Sequence, residues 1–243
     1  MPLDLAISDE VKQLRRAGLR PNERLAQHIL HAGAAAVGPL LGLALETDLL
    51  HTDEPECYAP IHALRLLGEL HSIEIIAPLL RVFPIEQEYP EEYLPLMWAD
   101  EASQMIGRLG AAAVEPLWAI VDDATWDTVG RGVALMALTY ATVIAPEIRA
   151  SVVDGVLERL SRSDDNRMTA HLVSALASLG VGSAYKQIMD LYRQGRVDQE
   201  IIAPGQARQL LLAPDATQRL MCVTHPLWER YEKHGPHAEE REA

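Results

Sequence analysis

The stretch Ala34-Ala35-Ala36-Val37-Gly38-Pro39-Leu40-Leu41 returns as Ala111-Ala112-Ala113-Val114-Glu115-Pro116-Leu117-Trp118. A weaker copy, Ile73-Glu74-Ile75-Ile76-Ala77-Pro78-Leu79-Leu80, lies between them. The three prolines are 39 and 38 residues apart. Self-similarity at that period predicts an all-α stack of helical repeats, because each unit buries its apolar face only against its neighbours. Such stacks mostly offer surfaces rather than catalytic centres.

Composition agrees with this reading. The chain has 243 residues, of which 49% are hydrophobic but only 5% aromatic. The core is therefore built from Ala, Leu, Ile and Val, which suits closely packed helices. There are 35 acidic and 21 basic residues, a formal net charge of −14. That balance disfavours nucleic-acid phosphate and anionic membrane surfaces, whose binding needs clustered Lys and Arg. Cys57 and Cys222 form no paired motif, so no disulfide framework or cysteine-rich metal site is expected. The N-terminal residues show no secretory signal and no run reaches membrane-spanning length, so a cytoplasmic location is expected.

Outward from the repeated stretch, helix pairs are predicted at residues 21–32 with 34–46, 59–70 with 73–83, and 94–109 with 111–121. Less regular pairs follow at 128–143 with 146–160 and 165–179 with 183–193. The recurring proline falls near the start of each second helix, where its missing N–H costs little. Gly33, Gly110 and Gly180 are expected to cap the first helices. A capping helix over 8–17 has Asp9 and Glu10 placed in its first turn and Arg15 and Arg16 in its last, matching the helix dipole. The resulting division is an N-terminal cap at 1–20, repeats over 21–196, capping helices over 197–235 and a disordered tail at 236–243.

Paired helices of about 38 residues, with Ala-Val-x-Pro-Leu opening the second, resemble HEAT repeats, in particular those of phycobilin lyases. The region from Leu94 to Ile202 is also similar to an uncharacterised bacterial helical-repeat family. The stretches carrying that likeness are Asp100-Glu101-Ala102, Val114-Glu115-Pro116-Leu117 and Asp190 through Asp198. Members of that family often carry a cysteine-rich zinc module, which this chain lacks. The resemblance implies an α-solenoid of about five HEAT-like pairs with capping helices, and an interaction role without a named reaction.

Aligning the copies sorts the candidate residues. Trp118 stands with Leu41 and Leu80, a packing position. His28 stands with Leu67 and Met105, and His71 with Ala32 and Leu109, so both read as partly buried structural histidines. Glu23, His62 and Asp100 share a position read as solvated. His28, His31, His51, Asp53, Cys57 and His62 are the richest ligand set, but neither HExxH nor finger spacing is present, so no metal or other cofactor is expected. The carboxylates of Asp100-Glu101, Asp122-Asp123, Asp127 and Asp164-Asp165 are assigned to helix ends. No nucleophile elbow, P-loop or dinucleotide fingerprint occurs.

The second helices would form the inner face of the stack. Their outward positions are Gly38, Gly42 and Leu45, then Ala77 and Arg81, then Glu115, Ala119 and Asp122. Two acidic inter-repeat loops flank them: Asp48, Asp53, Glu54 and Glu56 in one, Glu86, Glu88, Glu91 and Glu92 in the other. The expected function is a non-catalytic scaffold, monomeric or weakly dimeric, that binds a protein with a basic patch. The candidate contacts are Arg81, Glu115, Trp118, Asp122, Glu86, Glu88, Glu91 and Glu92. The alternatives are a bilin-lyase-like enzyme or accessory protein, as the resemblance implies, and an acidic nucleic-acid mimic.

Overall fold

A computed structural model describes residues 3–82, 93–213 and 215–237. The chain is all-helical, with no strand among the described residues. It divides into two compact units: residues 1–109 together with 225–243, and residues 110–224.

In the first unit, α1 (Leu3–Lys12) is followed by a 3-10 turn at Gln13–Arg16. Then come α2 (Glu23–His31), α3 (Ala34–Ala44), α4 (Ala59–Leu70), α5 (Ile76–Arg81) and α6 (Tyr93–Gly107). The closing helix, α13 (Leu227–His234), belongs to this unit and packs on α4. α4 is the hub: it lies against α3 and α6, and residues 59–68 are all buried. Trp98 of α6 is fully buried, and its indole N–H donates to the Ala44 carbonyl at 2.8 Å.

In the second unit, α7 (Val114–Asp122) packs on α8 (Thr128–Ile144), and α8 packs on α10 (Asn166–Ser178). α10 also contacts α9 (Arg149–Arg162) and α12 (Pro204–Leu212), and α12 contacts α11 (Tyr185–Arg193). Asp127 and Asp165 cap α8 and α10 by accepting from the Gly130 and Met168 amides, at 2.6 and 2.8 Å. Those two acids perform the role that their place in the sequence assigns.

The helix following each A-to-B turn opens in the same way. A 3-10 segment precedes α5, α7, α9 and α11, at Ile73–Ile75, Gly110–Ala113, Pro146–Ile148 and Gly182–Ala184. At α3 the Ala35 and Ala36 amides reach back three residues, to Ala32 and Gly33. Pro78 and Pro116 each fall third in their α-helices, so the carbonyl each would have bonded lies in the tighter 3-10 turn. Pro39 sits deeper in its helix, at the sixth residue of α3.

Three differences from the sequence reading concern α1, His71 and His28. α1 starts at Leu3, so Asp9 and Glu10 lie well inside it and not in its first turn. Asp9 pairs with Lys12 at 3.0 Å. His71 is exposed and sits at φ 52°, in the left-handed region. Gly33, Gly110 and Gly180 occupy the same place after α2, α6 and α10, at φ 56°, 57° and 65°. The second repeat carries one extra residue between this cap and its proline, so alignment on the prolines put His71 one position early. His28 is also exposed, 3.8 Å from Glu10, and not part of the packing.

The cap predicts a paired outcome. His71→Gly relieves a left-handed non-glycine residue and should raise stability by about 0.5–1 kcal/mol. Gly110→Ala should lower it by about 1–2 kcal/mol, since the new methyl also meets Ile144 at 3.2 Å. Urea midpoints measure both changes, and equal responses at the two sites would refute the shared cap.

Candidate interaction surface

The outward positions proposed on α3 face solvent. Gly38 and Gly42 are exposed, and a side chain added at either would meet no atom within 4 Å. Leu45 is half-buried. Between α3 and α1 runs a cavity of about 580 Å³, lined by Val11, Lys12, Arg16, Pro39, Gly42 and Leu43. Arg15 and Glu46 form an ion pair on its rim. On α5, Ala77 and Arg81 are exposed.

The acidic loop at 47–58 contains two 3-10 turns, Thr47–His51 and Glu56–Tyr58. Glu54 accepts a hydrogen bond from the Tyr58 hydroxyl at 2.6 Å, while Asp48, Asp53 and Glu56 are exposed. Glu86, Glu88, Glu91 and Glu92 lie outside the described residues.

In the second unit, Glu115, Ala119 and Asp122 are exposed on α7. Asp122 is not a free acid. Both its oxygens accept from Arg159 of α9, at 2.8 and 2.5 Å, and those bonds hold its carboxyl below the usual carboxylate range. The same guanidinium lies 3.8 Å above the Trp118 ring, which is half-buried beneath it. Trp118 is therefore covered by a cation and fixed against α9; it is neither a core residue nor an open stacking platform. Asp122, Arg131, Arg159, Arg162, Asp164 and Asp165 line a cleft of about 530 Å³. Its three arginines are matched by three aspartates, so it presents no net charge to a ligand.

The largest departure from the sequence reading is a buried polar cluster in the first unit. Glu101, expected at a helix end, lies within α6 and is only 2% exposed. One of its oxygens accepts from Arg65 Nε and Nη2 at 2.9 and 2.6 Å. The other accepts from Arg230 Nε and Nη2 at 3.1 and 2.8 Å. Arg230 also donates to Gln104 Oε1 at 2.5 Å, and Arg65 to the Gly235 carbonyl at 2.6 Å. Both guanidinium groups are buried. Burial alone would raise the Glu101 pKa, but the two adjacent cations outweigh it and hold the group ionised below its ordinary value. Arg108 extends the cluster, donating to Glu69 at 2.8 Å and to the His225 carbonyl at 3.0 Å.

His62 is also buried, contrary to the solvated position assigned to it. Its Nε2 faces the Gly18 carbonyl and its Nδ1 faces the Tyr231 hydroxyl, both at 2.8 Å. Its aligned partners Glu23 and Asp100 are exposed as expected. α4 differs because it is covered from several sides, including by α13.

This cluster has the residue types of acid–base chemistry but not its geometry. Glu101 is saturated by two guanidiniums, and a general base needs a lone pair open to substrate. The histidine, aspartate and cysteine set around His28 is dispersed: His28, His31, His51 and Asp53 are exposed, while His62 and Cys57 are buried. Among the described residues no group of three or more His, Cys, Asp or Glu is placed to hold a metal ion. No described helix is long and apolar enough to cross a membrane.

Charge is unevenly divided. Residues 110–224 hold 13 acidic and 10 basic residues, a balance of −3. The remaining 22 acidic and 11 basic residues give the first unit −11. Three of those 11 cations, Arg65, Arg108 and Arg230, are committed to the internal cluster with Glu69 and Glu101. Excluding these five residues leaves the first unit with 20 acidic and 8 basic residues. No protein-family model matches the chain, and neither a curated protein nor a solved structure shows significant similarity to it.

Proposed function

We propose that this chain is an α-solenoid of HEAT-like helix pairs that acts as a non-catalytic scaffold, binding a protein partner with a basic face. The architectural part of the reading is supported by the left-handed cap at three A-to-B glycines and His71, and by the 3-10 opening shared by successive second helices. The observation that carries the functional part is the placement of charge. The first unit carries −11 of the net −14, while three of that unit's arginines are engaged with its own carboxylates. A surface so biased attracts basic partners and repels phosphate-rich ones.

Affinity capture with the full chain, followed by calorimetry at two salt concentrations, tests the proposal. The expected partner is basic, and its affinity falls at least tenfold between about 0.05 and 0.5 M salt as surface charges are screened. Charge-reversed Asp48, Asp53 and Glu56 should weaken it further. Consistently acidic partners, or affinity indifferent to salt, would overturn the proposal.

A further inference from the structure

We infer that residues 225–237 form an acid-releasable strap on the first unit: α13 and its flanks dock through contacts that require neutral histidines, and protonation frees the segment. This inference does not depend on the proposed scaffold role.

The strap buries few large apolar side chains, chiefly Leu227 and Tyr231. Its hold is polar. Arg230 reaches Glu101 and Gln104 of α6, the Gly235 carbonyl accepts from Arg65 of α4, and the His225 carbonyl accepts from Arg108 of α6. Tyr231 lies under the Arg65 guanidinium at 4.3 Å, and Trp228 under that of Arg20 at 4.7 Å. A segment held mainly by directional polar contacts is sensitive to a change in charge among them.

Two of these contacts depend on protonation state. The Gly18 carbonyl only accepts, so the proton of neutral His62 resides on Nε2. Nδ1 is then the acceptor for the Tyr231 O–H. Protonating Nδ1 removes that acceptor and places a cation beside Arg65, against Tyr231 of the strap and with Arg20 near that tyrosine. The second contact joins the ends of α13: His225 Nδ1 and His234 Nε2 are 2.7 Å apart with stacked rings. One ring donates to the other across this contact, and a proton added at the accepting nitrogen sets two N–H groups face to face.

Among the described residues, most carboxylates near these rings are already paired with cations. Around the histidine pair stand Arg230 of α13, Arg65 of α4 and Glu101 of α6, with Arg108 at the His225 carbonyl. Glu229 also faces the pair, and it is bound to Lys233 at 2.6 Å. Asp100, Tyr93 and His237 line a small cavity with His234, and Asp100 accepts from Gln104 at 2.6 Å. Glu101 is bound by two arginines and Glu69 by Arg108. Burial and Arg230 both push the His234 pKa down, consistent with a site that resists a further proton while the strap is docked.

Hydrogen exchange of the full chain at pH 7.5 and pH 5.0, with labelling times scaled for intrinsic exchange, gives the test. Amides of 225–237 should lose at least tenfold of their protection at pH 5.0 and should stay less protected than those of α4 and α6, exchanging through an opening that depends less on urea. His62→Gln keeps an acceptor and a donor without titrating, and combined with His234→Gln it should reduce the loss to less than threefold. Equal protection of the strap at both pH values would overturn the inference. So would exchange of the strap through the same urea-dependent opening as α4 and α6, or release of the double variant at the wild-type pH.

Discussion

Glu101→Gln is expected to cost about 3–5 kcal/mol of stability, the largest effect of any single polar substitution in the chain. The change is nearly isosteric, so no cavity accounts for the loss. It removes the one carboxylate that both Arg65 and Arg230 share, leaving two buried guanidiniums with neutral acceptors. Urea denaturation followed by circular dichroism measures the change. Glu115→Gln, at an exposed carboxylate, should shift stability by no more than about 0.5 kcal/mol. Replacing the cluster as a whole, with Arg65→Met, Glu101→Leu and Arg230→Met together, should recover most of the loss, because no charge is then stranded. A Glu101→Gln protein as stable as the wild type would mean that the cluster is hydrated and not sealed.

Acid is the second large perturbation, and a histidine of strongly lowered pKa carries it into each unit. His62 is held down to a pKa of about 4 by burial, with Arg65 adding to the effect and the Gly18 carbonyl opposing it. His171 in α10 is likewise lowered to about 4, by burial and then Arg167, against Asp165 and Asp198. Its ring lies over the Gly132 backbone, where an added methyl would meet it at 2.4 Å. Both groups are neutral in the native state, whereas the unfolded chain takes up the proton near pH 6.5. Their contribution is therefore complete above pH 6.5 and is lost as the pH falls toward 4, because the unfolded state binds more protons in that window. Each site stands to lose about 3 kcal/mol. The urea midpoint should fall steeply between pH 7 and pH 4.5, and His171→Gln should flatten the part of the slope belonging to the second unit. A midpoint that stays level across that range would contradict neutral burial of both rings.

Helix positions were legible in the sequence because they rest on periodicity, turn glycines and prolines, which act locally. The helices predicted at 34–46, 59–70 and 128–143 appear as Ala34–Ala44, Ala59–Leu70 and Thr128–Ile144. The outward positions on α3, α5 and α7 were legible for the same reason, apart from Leu45. The cluster around Glu101 was not, because its members stand as far apart in sequence as Arg65 and Arg230, and no local pattern announces such a meeting. A signal did exist. In the repeat alignment Arg65 stands where the other copies have Ala26 and Ser103, and Glu101 where they have Arg24 and Ala63. An arginine in the place of small residues is a buried cation seeking a partner. The alignment misjudged His62 through the opposite assumption, that one position keeps one environment in every copy. The extra coverage of α4 breaks that equivalence.

The first unit is discontinuous along the chain, and that has a consequence for biosynthesis. Arg65 and Glu101 emerge from the ribosome early, but Arg230 and the Gly235 carbonyl follow only after residues 110–224 have been made. At about 5–20 residues per second that interval lasts roughly ten seconds. Throughout it the nascent first unit holds an unfinished polar pocket open to water, and at its end the second unit has all its residues and is free to fold. Completion of the earlier-made unit thus waits on residues that follow the whole of the second unit.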